Sequence, residues 1–152
     1  MRRMQLMDRK LILLVEDNPD DLELARIALR ESGYEDETLV ARDGQEALDL
    51  LFDPERARGS DCPSVVMLDI KLPRVNGFEV LKRLRQDERT QYLPVVVMSS
   101  SRDQGDLQES YRLGANSYIP KSLDFNQFIE AVRAVGNYWL DFNLMPDRAG
   151  TY

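Results

Sequence analysis

The chain has 152 residues, with 20 basic and 27 acidic side chains, a formal net charge of −7 and no histidine. This length suits one domain, and 43% hydrophobic with 31% charged residues is typical of a folded, soluble protein. The negative charge argues against nucleic-acid binding, and the absence of histidine excludes histidine-dependent catalytic triads and a phosphohistidine carrier.

The sequence also argues against membrane insertion and secretion. The longest unbroken apolar run, Leu11–Val15, is far shorter than the about 20 residues of a membrane-spanning helix. The basic start of the chain is not followed by the apolar core of a signal peptide. The single cysteine, Cys62, leaves no internal disulfide, so we expect a reducing, cytoplasmic location.

The first third of the chain predicts two strand–helix pairs. Leu11–Val15 is entirely apolar, as expected for a strand that is buried on both faces. Asn18 follows as a helix N-cap, and Gly33 ends that helix. The second pair is a strand at Thr38–Ala41 and a helix at Asp43–Phe52.

The rest of the chain predicts three further pairs after a polar surface loop at Asp53–Pro63. In order, they are a strand at Ser64–Leu68, a helix marked by Phe78, Leu81 and Leu84, a strand at Pro94–Met98, a helix at Asp103–Leu113, a strand at Ala115–Ile119 and a helix at Asp124–Leu140. The last helix carries one apolar side, formed by Phe125, Phe128, Ile129, Val132, Val135 and Trp139.

Five strands that alternate with five helices through short links predict an α/β fold with a five-stranded parallel sheet and helices on both faces. We expect one domain over residues 10–140, preceded by an N-terminal extension (residues 1–9) and followed by a C-terminal tail (residues 141–152).

Polar side chains follow four of the predicted strands. Glu16 and Asp17 follow the first strand, Asp69 the third, Ser99 the fourth and Lys121 the fifth. Taken singly, four of them have an ordinary explanation: a helix start for Asp17, a turn cap for Asp69, a polar loop for Ser99 and a solvated surface position for Lys121. Glu16 is harder to explain in this way, because capping does not require an acid directly after a buried strand. In a parallel sheet, however, ligands bind beyond the carboxyl ends of the strands, so we expect all five side chains to converge there.

The chemistry of this set indicates a phosphoryl group and a metal ion. Three clustered carboxylates repel one another, and a hard cation such as Mg²⁺ removes that conflict while keeping room for water and phosphate oxygens. A lysine and a hydroxyl beside the carboxylates suit the remaining phosphoryl oxygens.

Four segments of the chain resemble the signature segments of response regulator receiver domains. They are Val15–Pro19, Leu68–Pro73, Val97–Ser100 and Tyr118–Lys121, and the resemblance extends over residues 10–140. It implies the flavodoxin-like (βα)5 receiver fold and a role in two-component signalling rather than enzymatic turnover of a metabolite.

The resemblance assigns the central roles to acidic residues. Asp69 would attack the phosphorus atom of a phosphohistidine on a sensor histidine kinase and become an acyl phosphate. Glu16, Asp17 and Asp69 would bind Mg²⁺ together with the backbone carbonyl of Lys71. Lys121 would pair with the phosphoryl oxygens.

The resemblance also assigns a switch. Ser99 would turn to hydrogen-bond the phosphoryl group, Ser100 is small enough to leave room for it, and Tyr118 would follow inward as the switch aromatic. Lys71 and Ser101 occupy positions that influence attack by water in this family. One departure is Ser122, since the family usually has a proline there, commonly after a cis bond. A cis bond to a non-proline residue costs about 2.5–4 kcal/mol, so the geometry of the Lys121–Ser122 bond stays open.

The segment after Leu140 is too short for a DNA-binding or enzymatic output domain, so we expect signalling through protein contacts, as in single-domain response regulators. Val15–Asp21, Asp53–Pro63 and Asn137–Leu140 resemble the regulators that partner bacterial phytochrome kinases, which often form homodimers. The apolar C-terminal residues either fold back or form a dimer or docking surface. Candidate interface residues are Leu107, Tyr111, Trp139, Phe142 and Leu144.

The main alternative is a pseudo-receiver that binds partners without phosphorylation, which the Ser122 departure would suit. A phosphatase that forms an aspartyl phosphate would need a second acid two residues after Asp69, where Lys71 stands. A flavin or nucleotide carrier would need a phosphate-binding loop after the first strand, where Glu16 and Asp17 would repel the phosphate.

Overall fold

Five strands form one parallel sheet in the order β2-β1-β3-β4-β5. The computed structural model describes residues 10–55 and 62–146. β1 and β4 are buried at every residue, which explains their unbroken apolar sequences up to the strand end. The strands are β1 Leu11–Val15, β2 Thr38–Ala41, β3 Pro63–Asp69, β4 Val95–Ser99 and β5 Ser117–Pro120.

Helices cover both faces of the sheet, which confirms the predicted α/β fold. Successive side chains of β1 point to opposite faces of the sheet and pack in two different hydrophobic cores. Leu13 lies in the core that includes residues of α2 and α3, whereas Leu14 lies in the core that includes residues of α1 and α5. The helices are α1 Pro19–Glu31, α2 Gly44–Leu51, α3 Gly77–Gln86, α4 Gln104–Arg112 and α5 Phe125–Gly136, and a short 3₁₀ turn occupies Glu35–Glu37.

Each of these five helices begins with a side chain that accepts a backbone N–H of the first turn. At α1, the Asn18 side chain accepts from the backbone nitrogens of Asp20 and Asp21, both at 3.0 Å. Such a cap contributes about 1 kcal/mol and fixes where the helix starts. The other four caps are Asp43, Asn76, Asp103 and Asp124.

The predicted last helix over Asp124–Leu140 is one unbroken helical run after the Asp124 cap, but it is not α-helical to its end. α5 ends at Gly136, and a π-helical segment follows over Asn137–Phe142. The Tyr34 ring occupies the space beside Gly136, where an added Cβ would lie 2.4 Å from a ring carbon. The Tyr34 hydroxyl donates to the Asn137 side chain and lies 3.1 Å from Asp141 Oδ2. These contacts hold the wider helical turn, and Leu140 is buried in the core.

Phe125 is also exposed, although the sequence pattern placed it on the buried side of the last helix. It is the first helical residue after the Asp124 cap. Phe128 and Val132, further along the helix, are buried as predicted.

Three of the five predicted strands differ from the structure by one or two residues. β5 begins after Asn116, because the Asn116 side chain and backbone pair with the backbone of Val95 at 2.8 Å each and take the place of a strand residue. β3 begins at Pro63, which was predicted as the end of a loop, and residues 56–61 of that loop lie outside the described residues.

The Lys121–Ser122 bond is trans. Within the described ranges, no helix is long and apolar enough to cross a membrane.

Candidate functional site

The register of the sheet brings the predicted site residues to one edge. Val15 pairs with Leu68, so the residues that follow them, Glu16 and Asp69, lie side by side at the ends of β1 and β3. Ser99, at the end of β4, pairs with Pro120 on β5. The backbone nitrogen of the next residue, Lys121, donates to the Ser99 carbonyl at 2.8 Å.

Three carboxylates form the centre of this edge. One carboxylate oxygen from each of Glu16, Asp17 and Asp69 can be chosen so that the three oxygens lie within 4.8 Å of one another. Glu16 and Asp69 are buried, whereas Asp17 is exposed and opens the cluster to solvent. Burial raises the pKa of Glu16 from 4.5 to about 7, against the opposing effect of the Lys121 ammonium, and the charge of Asp69 raises it further. Burial likewise raises the pKa of Asp69.

This donor set fits a hard divalent cation. All three ligand atoms are carboxylate oxygens, two of them on groups whose charge is costly to bury alone, and the exposed side leaves room for water or phosphate oxygens. The predicted fourth ligand, the backbone carbonyl of Lys71, follows β3 two residues after Asp69, and the Lys71 side chain is exposed.

Lys121 reaches into the carboxylate cluster from the β5 side. Its Nζ lies 2.5 Å from Glu16 Oε1, 3.0 Å from Asp21 Oδ2 and 3.4 Å from Asp69 Oδ1. Burial alone would lower the pKa of the Lys121 ammonium, but the hydrogen bond to Glu16 and the charge of Asp69 outweigh it and raise the pKa. Lys121 is therefore a charged group directed at the predicted phosphorylation site.

Sequence reasoning missed Asp21, because an acid in the first turn of a helix already has an ordinary role there. The spacing to Asp17 gives no separate signal, because Asp17 precedes the Asn18 cap and lies outside the helix.

The loop after Asp69 is packed tightly against the start of α3. The backbone nitrogen of Gly77 donates to the Ile70 carbonyl at 2.7 Å. A Cβ on Gly77 would lie 2.3 Å from the Asp69 carbonyl oxygen and 2.7 Å from Ile70 Cα. The absence of a side chain at Gly77 therefore allows the start of α3 to approach the backbone of Asp69 and Ile70 this closely.

The predicted hydroxyl and switch residues lie on β4, on β5 and on the loop that follows β4. Ser99 is buried, and its Oγ accepts the backbone N–H of Ser101 at 3.0 Å. Ser100 is exposed. The half-buried Tyr118 donates its hydroxyl to the Ser101 carbonyl at 2.9 Å, so the predicted switch aromatic is tied to the loop that follows Ser99. Ser101 itself donates to Asp106 on α4 at 2.7 Å.

The unusual Ser122 has a partner of its own. The Arg102 guanidinium donates to Ser122 Oγ through Nε at 3.0 Å and through Nη2 at 2.7 Å. Arg102 also lines a cavity of about 260 Å³ together with Leu107 and Tyr118.

The structure divides the five candidate interface residues. Leu107 and Trp139 are half-buried, and Trp139 packs against the core that includes residues of α1 and α5. Tyr111 is exposed, and Phe142 and Leu144 are 75% and 92% exposed. The π-helical segment thus folds back through Leu140 while it leaves other apolar side chains in solvent.

Comparison with known proteins identifies the fold and the family. Residues 12–133 match the response regulator receiver domain family. The chain is 38% identical over 142 residues to the probable methanogenesis regulatory protein FilR2 of Methanothrix harundinacea, covering 93% of this chain and 91% of FilR2.

Two solved structures of response regulators have the same architecture. Phosphorylated RcpA, a cyanobacterial phytochrome response regulator, is 36% identical with a TM-score of 0.75 and coverage of 90% of this chain and 97% of RcpA. The Mn²⁺-bound form of Rcp1, a protein of Synechocystis sp., is 33% identical with a TM-score of 0.75 and coverage of 90% and 99%. The resemblance seen in the four sequence segments is confirmed: the chain belongs to the response regulator receiver domain family.

Proposed function

We propose that this protein is a phosphorylated signalling switch in which Asp69 accepts a phosphoryl group from a sensor histidine kinase. The observation that carries the proposal is the placement of Lys121 Nζ between buried Glu16 and Asp69, within a cluster of three carboxylates. The Lys121 ammonium lies beside the buried Asp69 carboxylate, so it can neutralise the negative charge that Asp69 gains with a phosphoryl group.

In the proposed reaction, an Asp69 carboxylate oxygen forms a bond to phosphorus as the phosphorus–nitrogen bond of the phosphohistidine breaks. The electron pair of that bond returns to the imidazole, and Asp69 becomes an acyl phosphate. Lys121 neutralises a phosphoryl oxygen, and Ser99 donates a hydrogen bond to another after it releases the Ser101 N–H. Exposed Ser100 presents only a small side chain beside the site.

Glu16, Asp17 and Asp69, with the Lys71 carbonyl, would hold Mg²⁺. When bound, the ion supplies positive charge that offsets the carboxylates and the phosphoryl oxygens. The Mn²⁺-bound form of the similar protein Rcp1 supports a divalent ion in this family.

The signal would pass through Tyr118 to the α4–β5 surface and to the C-terminal apolar side chains. Tyr118 is hydrogen-bonded to Ser101, so rearrangement of the Ser99 loop changes its anchor. We propose that the readout is protein contact, including a homodimer that uses Tyr111, Phe142 and Leu144, all of which are exposed. The similarity to RcpA supports a bacterial phytochrome as the kinase, and the single cysteine supports action in the cytoplasm.

The test uses beryllofluoride, a phosphoryl analogue, together with Mg²⁺. Wild-type protein should bind it, and Asp69→Asn should not, because the analogue needs the Asp69 carboxylate oxygen. Phosphotransfer from a candidate kinase should label the wild type alone. A wild type that fails to bind, or an Asp69→Asn variant that binds equally well, would refute the assignment and favour a phosphorylation-independent interaction module.

A further inference from the structure

We propose that Asp21 is a positioning residue for Lys121, which holds the lysine in the unphosphorylated protein and must release it when a phosphoryl group arrives. This inference rests on the proposed function of Asp69. It starts from the contact between Lys121 Nζ and Asp21 Oδ2 at 3.0 Å, which joins β5 to the first turn of α1.

Lys121 already has three carboxylates around its ammonium group. They are those of Glu16, Asp21 and Asp69, and an ammonium has three N–H donors. A phosphoryl oxygen on Asp69 would be a further acceptor around the same three donors, so it competes with the existing partners for Lys121.

Burial decides which partner gives way. The Glu16 side chain is 1% exposed and its oxygen lies nearest to Nζ, whereas the Asp21 side chain is 38% exposed. A carboxylate left without its ion pair is costly when it is buried but is solvated by water when it is exposed. Asp69 itself carries the phosphoryl group, so Asp21 is the contact that is released at least cost.

Both ends of the contact are held in place. The Asp21 backbone nitrogen is fixed by the Asn18 cap, and the Lys121 backbone nitrogen is fixed by the Ser99 carbonyl. The contact therefore joins two fixed backbone positions, and one of its side chains, that of Lys121, is only 11% exposed.

The expected effect has a definite sign. Asp21 competes with the phosphoryl group for Lys121. It also places a negative charge near the phosphoryl group, which itself carries about two negative charges. Removal of the Asp21 charge should therefore tighten binding of a phosphoryl analogue. Since a partly exposed ion pair contributes little, the gain should be about twofold to fivefold.

The matched control is Asp20, the preceding residue in the same turn. It is exposed, and no side-chain contact to Lys121 is seen in the described part of the chain. Asp21→Asn and Asp20→Asn make the same change in charge at the same helix end, so their difference isolates the contact with Lys121.

The experiment measures the Kd of beryllofluoride by calorimetry at saturating Mg²⁺ for the wild type, Asp21→Asn and Asp20→Asn. Asp21→Asn should bind about twofold to fivefold more tightly than Asp20→Asn, and the difference should be lost in a Lys121→Met background. Equal or weaker binding by Asp21→Asn, or a gain that persists without Lys121, would overturn the role of Asp21. Failure of the wild type to bind would instead refute the proposed function of Asp69, so the two failures are distinguishable.

Discussion

Replacement of Glu16 by glutamine should stabilise the metal-free protein at pH 8. Burial raises the pKa of Glu16 from 4.5 to about 7, so the folded protein retains this proton over a range in which the unfolded chain has released it. Below pH 4.5 both states are protonated and the group has no effect on stability. As the pH rises from 4.5 to about 7, the native protein loses stability, and the loss is complete above pH 7.

The magnitude follows from the same interval. At about 1.4 kcal/mol per pKa unit, a rise from 4.5 to about 7 corresponds to about 3 kcal/mol of lost stability at pH 8. Glutamine removes this cost, but it also weakens the contact with Lys121 Nζ, which retains Asp21 and Asp69. We therefore expect a net gain of about 1–3 kcal/mol for Glu16→Gln.

Urea denaturation in EDTA at pH 5, 6, 7 and 8 measures the free energy of unfolding. The wild type should lose stability over this range, while Glu16→Gln should show a flatter profile and exceed the wild type at pH 8. Glu23→Gln, an exposed position on α1, is the control for the change in charge. Added Mg²⁺ should stabilise the wild type more than Glu16→Gln. A Glu16→Gln variant that is no more stable than the wild type at pH 8 would refute this account of the buried carboxylate.

The remaining predictions concern Arg85, which lies before the starts of β4 and β5, and Gly77, which lies beside Asp69. Arg85 donates to the carbonyl of Leu93 at 2.8 Å and twice to the carbonyl of Gly114. Arg85→Ala should therefore lower the free energy of unfolding, measured with urea, by about 3–5 kcal/mol. Arg85→Lys should lower it by less. Equal stability of Arg85→Ala and the wild type would contradict this role. Gly77→Ala should cost about 1–3 kcal/mol and slow phosphorylation of Asp69, because the new Cβ would lie 2.3 Å from the Asp69 carbonyl oxygen. An unchanged melting temperature with an unchanged phosphorylation rate would show that the loop accommodates the methyl group.

The sheet and the core of the site were predictable because each depends on short, local patterns. Apolar runs that end in a polar residue marked the strands before Glu16 and Asp69, and parallel pairing brings strand ends together. The roles proposed for these residues await the experiments above.

Other features depend on contacts between distant parts of the chain. Asp21 satisfies the local rules for a helix start, so its contact with Lys121, 100 residues away, leaves no separate trace in the sequence. The change from α-helical to π-helical winding after Gly136 depends likewise on the packing of Tyr34 against Gly136, and the helical periodicity of the sequence continues through it. Local patterns therefore identified the helices, the strands and the strand ends. They did not identify the contacts between residues that are distant in the sequence.

The contact of Tyr34 with Gly136 has a consequence for recognition. Because the ring and hydroxyl of Tyr34 hold the π-helical segment against the end of α1, exposed Tyr138 and Phe142 project from a backbone that is already ordered. A molecule that binds these aromatic side chains need not supply the free energy of ordering that backbone. Tyr34→Ala would remove these contacts and weaken such binding, even though Tyr34 itself is buried beneath the segment.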